Sequence, residues 1–264
     1  MRVFLTGATG FIGSHVIPEL LHRGHNMLGL ARSGAGAQQL EAAGADVHRG
    51  DLERPETLAS GVAAADAVIH CAFDHDFANF VENTRKDERN IAAMGDALAG
   101  TNKPILITSG IGIGTPRNGG PATEDVLNPL HANPRIVTEL AAAALIARRI
   151  DVRTIRLPQV HNTTKAGLIT PLIAEARRAG AVAYLGEEDA LGCRAYQRCR
   201  QAIRAGSRAR RAGRAIPCVG RGGRRCTHDR RGHRRGNRIA GTFDRNRRHR
   251  ALLRLDDSSS PLST

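Results

Sequence analysis

Gly7, Gly10 and Gly13 stand three apart, directly after a short apolar strand, Arg2-Val3-Phe4-Leu5. The turn Thr6-Gly7-Ala8-Thr9-Gly10-Phe11-Ile12-Gly13 leads into Ser14-His15-Val16-Ile17-Pro18-Glu19-Leu20-Leu21, which reads as a helix. Strand, glycine turn and helix N-terminus together make a cradle for a pyrophosphate. The backbone N–H groups face the anion and the helix dipole favours it. Gly7 turns the chain sharply off the strand, Gly10 lets a phosphate approach the backbone, and Gly13 seats the helix close on the sheet.

The elements that must position this turn follow in order. Asn26–Ala31 reads as a second strand, Gln38–Ala43 as a helix ending at Gly44, and Ala45–Arg49 as a third strand. Pro55-Glu56-Thr57-Leu58 starts a helix, Asp66–Ala72 is a fourth strand, and a long helix runs through Asn90, Ile91 and Leu98. Pro104–Ser109 is a fifth strand, the alanine-rich Arg135–Arg149 a helix, and Val152–Leu157 a sixth strand ending at Pro158. Alternating strands and helices predict an α/β fold of Rossmann type, a doubly wound parallel sheet. Its ligands bind at the C-terminal strand ends, where the strand order switches.

Charge divides the chain in two. Residues 1–189 hold 18 Lys and Arg against 21 Asp and Glu, while residues 190–264 hold 21 Arg, no Lys and 4 acids. The net charge of +14 therefore belongs to an Arg-rich tail and not to the folded part. We expect a dinucleotide-binding domain at 1–190 and a separate tail at 191–264. No apolar run is long enough to span a membrane, and the N-terminal apolar strand belongs to the glycine motif, so a cytoplasmic protein is expected. Five cysteines without paired spacing do not suggest a disulfide framework.

These residues resemble the extended or atypical short-chain dehydrogenase/reductase family, the NAD-dependent epimerases and dehydratases, over about residues 1–190. The resemblance implies cofactor contacts along Gly7–Gly13. It implies others at Asp51 and Leu52 on the adenine side and at Cys71, Ala72 and Phe73 after the fourth strand. Thr108, Leu157 and Pro158 lie nearer the nicotinamide by the same resemblance. It gives Ser109 as the catalytic serine and implies an oxidoreductase or epimerase acting on a small carbonyl or hydroxyl compound, with a nucleotide sugar among the possibilities. A homodimer is compatible with it.

Cofactor choice is read from the second strand. An acid there would hold the ribose 2′-hydroxyl of NAD, but this chain has Ala31-Arg32-Ser33. Arg32, with Ser33 beside it, is suited to the 2′-phosphate of NADP; a solvated arginine at a strand end is the bland alternative. NADP is expected, with NAD still open.

The catalytic pattern departs from the family. Its members carry a tyrosine and, four residues on, a lysine, a spacing that puts both on one helical face. Here Arg135 and Glu139 hold that spacing, and neither Tyr184 nor Tyr196 has a lysine four residues later. Two readings stay open: turnover using Ser109 with another acid, His131 or His161, or a catalytically silent dinucleotide sensor. Arg135 and Glu139 could form an intrahelical ion pair. Asp74, His75 and Asp76 read as a polar loop, and no metal is expected.

The tail offers Tyr196 and Phe243 for base stacking, too few for a single-strand binder, so nucleic acid is not expected as a partner. Cys193, Cys199, Cys218, Cys226 and His228 lack the close pairs of zinc modules. Arginine without lysine, amid glycine, alanine and cysteine, is what a GC-rich gene yields in a wrong frame. One allowed codon choice for residues 192–205, read one base later, resembles the His-Val-x-Asp-x-Ala segment that begins the family's substrate lobe. Such a tail buries too little apolar surface to order itself, so residues after about 190 are expected to pack poorly.

Overall fold

A computed structural model describes residues 1–118 and 120–162, scattered positions between 167 and 180, and the backbone of Cys193–Ala195 and Ala215–Pro217. Apart from the backbone of those two short tail segments, the expected poor packing of the tail lies outside the described residues, as do the side chains imagined as a zinc set.

The central strand β1 (Arg2–Thr6) alternates its apolar residues between two faces, as period two requires. Val3 and Leu5 pack with Val16, Ile17 and Leu20 of α1 (Gly13–Leu21). Phe4 turns the other way, onto Leu58, Val62, Ile91 and Met94. Apolar residues on both faces are what a parallel sheet covered by helices demands.

The remaining elements are β2 (Asn26–Ala31), α2 (Gly34–Ala42), β3 (Asp46–Arg49), α3 (Ala59–Ala63), β4 (Ala67–His70) and α4 (Phe80–Leu98). They are followed by β5 (Ile105–Gly110), α5 (Ile136–Ala147), β6 (Val152–Leu157), β7 (Gln159–His161), β8 (Cys193–Ala195) and β9 (Ala215–Pro217). The main sheet runs β3-β2-β1-β4-β5-β6-β9 and every pair in it is parallel. β7 and β8 form a separate parallel pair. The expected six-stranded doubly wound sheet is therefore present. The order reverses between β1 and β4, which opens a crevice at their C-terminal ends.

Two boundaries moved for local reasons. Helix α2 begins at Gly34, four residues before the expected start, because the Ser33 hydroxyl caps the Gly36 N–H at 3.1 Å. Strand β4 stops at His70, so Cys71 and Ala72 lie past the ladder at the crevice mouth.

Candidate functional site

The glycine turn occupies the crevice between β1 and β4. Gly7 adopts φ 68°, a left-handed conformation that any side chain would strain. A Cβ there would also meet the Ala72 N at 2.7 Å. A Cβ on Gly13 would collide with the Gly7 carbonyl oxygen. Gly7 thus lets the turn sit against the residues after β4, and Gly13 lets α1 start directly on the turn. The Gly10 N–H donates to Gly7 O at 3.0 Å, while Thr9 and Gly10 stay exposed at the mouth. Ala8 is buried beneath them, and Phe11 and Ile12 pack on the core edge.

Beside the ends of β2 and β3 a cleft of about 240 Å³ is lined by Arg32, Arg49, Gly50, Asp51, Arg54 and Thr57. Arg49 donates to Ser33 O at 2.7 Å and so anchors the β2–α2 turn. Asp51 accepts the Glu53 N–H, and Leu52 packs onto the core beside it. Three arginines line this one cleft; Arg32 was read from the sequence, Arg49 and Arg54 were not.

Beyond the turn lies a buried polar chain. Thr6 Oγ1 pairs with His70 Nδ1 at 2.7 Å, and His70 Nε2 pairs with Asp87 Oδ1 at 2.9 Å. Thr138 donates to Asp87 Oδ2, and Thr108 donates to His70 O at 3.0 Å. Burial alone would raise the Asp87 carboxyl, but the His70 and Thr138 hydrogen bonds and the Arg135 charge outweigh it and hold Asp87 below the usual carboxylate range. Thr6 Oγ1 also accepts the Ala72 N–H at 3.3 Å, which ties this chain to the end of β4. The chain fastens β1, β4, α4 and α5 together under the glycine turn. Its sequence signal was polar Asn83, Asp87 and Asn90 on the same helical face as Ile91, Met94 and Leu98, all buried.

Ser109 is buried at the end of β5, and its hydroxyl donates to Glu139 Oε1 at 2.7 Å. Arg156 grips the same carboxylate with two bonds, Nε to Oε1 at 2.8 Å and Nη2 to Oε2 at 2.7 Å. Its Nη1 reaches Thr123 O and its Nη2 reaches Val126 O, both at 2.6 Å, which pins the β5–α5 loop. The expected intrahelical pair of Arg135 with Glu139 is thus corrected. The β5–β6 register sets Arg156 beside Ser109, and the fork of Arg156 takes the carboxylate.

Arg135 instead lies with its guanidinium carbon 3.6 Å from the Phe73 ring centre and donates to Thr108 O at 3.2 Å. Cys71 and Ala72 precede that ring in sequence, and burial pushes the Cys71 thiol up to about 12, so it stays protonated. Leu157 and Pro158 are buried at the end of β6. His131 accepts the Asn133 N–H at 3.0 Å within its own loop, and His161 sits half-buried on β7. No hydrogen bond among the described residues links either histidine to Ser109. Asp74 binds Lys86 and Asp76 caps the turn at Ala78, the polar-loop roles expected of them.

Comparison with known proteins adds three findings. A family model described as NAD(P)H-binding matches residues 7–182. An uncharacterised protein of Schizosaccharomyces pombe is 39% identical over 187 residues, 70% of this chain and 63% of that protein, so the chain spans less than two thirds of its relative's length. A ketoreductase of Stigmatella aurantiaca is 40% identical over 72 residues, 27% of this chain and 22% of that protein. Among solved structures, the Thermus thermophilus UDP-glucose 4-epimerase in complex with NAD superposes with TM-score 0.66 at 20% identity, covering 83% of this chain and 77% of that one. No helix among the described residues is long and apolar enough to cross a membrane.

Proposed function

The chain belongs to the NAD(P)H-binding family, and from that premise we propose an NADP(H)-dependent oxidoreductase acting on a small carbonyl or hydroxyl compound. The observation that carries the cofactor choice is the cleft holding Arg32, Arg49 and Arg54, with no acid at the end of β2. The pyrophosphate rests on the Gly7–Gly13 turn and the N-terminus of α1. The adenosine 2′-phosphate enters the arginine cleft, beside Ser33 at the start of α2. Ala72, Phe73 and Thr108, at the ends of β4 and β5, would hold the nicotinamide end. When bound, the cofactor supplies or takes up a hydride there. The protein's residues bind it, orient it and exclude water from its inner edge.

Arg32→Glu tests this reading. It is expected to weaken NADPH binding by about tenfold or more, since one charge-assisted contact is lost and a repulsion gained. NADH binding should change little. Titration of the full chain with both nucleotides reads the ratio; equal weakening of both would refute the assignment.

A second reading, a dinucleotide sensor without turnover, draws support from the engaged Ser109 hydroxyl and from Arg135 and Glu139 at the tyrosine–lysine spacing. Steady NADPH oxidation with a small carbonyl compound favours the enzyme; tight binding without it favours the sensor.

We also propose that residues after about 190 are encoded out of frame. The family match ends at 182 and the match to the yeast relative covers 187 residues, 63% of that protein, while this chain turns Arg-rich after about 190. Sequencing the gene across codon 190 should reveal an open shifted frame that resumes the relative's pattern. A shifted frame broken by stops throughout would end the idea.

A further inference from the structure

The guanidinium of Arg135 is half-withdrawn from water at the C-terminal edge of β4 and β5, yet its hydrogen-bonding capacity is mostly unspent. Among the described residues its side chain donates to Thr108 O alone, out of five N–H groups. The two nearby carboxylates are already taken. Glu139 is held by Ser109 and Arg156, and both oxygens of Asp87 by His70 and Thr138. Burial, the largest influence on it, pulls Arg135 below its ordinary value although Asp87 and Glu139 oppose that shift, a state an incoming anion would relieve.

Phe73 covers one side of this group. Stacking at 3.6 Å occupies one face of the guanidinium. The Asn133 side chain fixes the Arg135 backbone N–H at 2.9 Å, and the carbonyl of Thr108 fixes one nitrogen of the head. What remains is a forked edge of donors in a set direction, the geometry that matches a carboxylate.

The surroundings describe the rest of the ligand. Phe73 meets His75 edge-on at 4.9 Å and Phe80 at 5.7 Å, and Phe77 stacks on Phe80 at 5.7 Å. Burial, then the charge of Arg135, holds His75 below its usual range, so this wall is uncharged at neutral pH. Phe77 leaves 57% of its surface exposed beside it. An aromatic wall next to one oriented cation suits an apolar body that carries a single carboxylate.

We propose that Arg135 is the substrate anchor of this site and that the substrates are oxo acids with an apolar body, the carboxylate seated on the Arg135 fork and the chain or ring against Phe73 and Phe77. This rests on the oxidoreductase reading, because the anchored acid brings its ketone to the strand ends where the nicotinamide would lie. It goes further than that reading by naming the substrate class and a specificity-determining residue.

The experiment compares phenylpyruvate with phenylacetone, which has the same ring and ketone but no carboxylate. Both are titrated by calorimetry into the full chain, with and without saturating NADPH, and NADPH affinity is measured separately. The wild type is expected to prefer phenylpyruvate by about tenfold or more, the size of a charge-assisted pair. Arg135→Met should erase that preference, read as the ratio of the two affinities at saturating NADPH. Arg135→Lys, which keeps the charge and loses the fork, should retain part of it and guards against misfolding of the first variant. Equal affinity for the two compounds, or a preference that survives Arg135→Met, would overturn the anchor. A chain that shows the carboxylate preference but binds no NADPH would leave the anchor standing and remove the cofactor reading.

Discussion

Gly13→Ala is expected to abolish most NADPH affinity, by about 100-fold or more, as a cradle of several charge-assisted N–H contacts is pushed out of place. The new methyl would fall on the Gly7 carbonyl oxygen and within 2.8 Å of the Ala8 Cα. Both are backbone atoms of the turn itself, so no side chain can swing away to make room. Either α1 lifts off the sheet or the turn opens, and both move the N–H groups that would face the pyrophosphate. Stability should fall as well, by about 1–3 kcal/mol, the usual cost of overpacking a tight site. The better helix propensity of alanine offsets less than about 1 kcal/mol of that. Nucleotide titration and urea unfolding of the same variant read both quantities. Undiminished NADPH affinity would mean that the turn does not hold the pyrophosphate.

Arg156→Met should cost about 3–5 kcal/mol, because it strands Glu139 as a buried, unpaired charge. The two side chains are 4% and 5% exposed, so water cannot replace the lost partner. The substitution also frees the Thr123 and Val126 carbonyls, so amides of the β5–α5 loop should exchange faster. The double variant Arg156→Met with Glu139→Leu should recover much of the loss, since the uncompensated charge is gone. Urea unfolding of wild type, both single variants and the double variant measures this coupling. Strictly additive losses would show that Arg156 and Glu139 act independently and that the pair is not what fastens β6 to α5.

The contrast between these two sites shows what a linear sequence reveals. The glycine turn is local: strand, three glycines and helix lie within twenty residues, and their types follow from the backbone conformation and close approaches they must satisfy. The parallel, doubly wound class of the sheet was legible for a similar reason, because alternating strands and helices admit few right-handed connections. The partner of Glu139 was not legible. Helical spacing pointed to Arg135, four residues away, whereas the true partner is 17 residues on and on a different element. Only the register that sets Ser109 opposite Arg156 brings the three together. The start of α2 was hidden by Gly34 and Gly36, weak helix formers, although Ser33 carried the capping signal. Arg49 and Arg54 escaped notice because their approach to Arg32 depends on how β3 and the following turn pack beside β2. Asp87 had a visible sign, a polar residue on an otherwise buried helical stripe.

The central claim is that this chain takes NADP(H) on the Gly7–Gly13 turn with its 2′-phosphate among Arg32, Arg49 and Arg54. Calorimetric titration of the full chain with NADPH and, in parallel, NADH tests it most directly. Saturable one-to-one binding of NADPH, about tenfold or more tighter than that of NADH, is the expected result. Absence of binding by either nucleotide, or a preference for NADH, would contradict it.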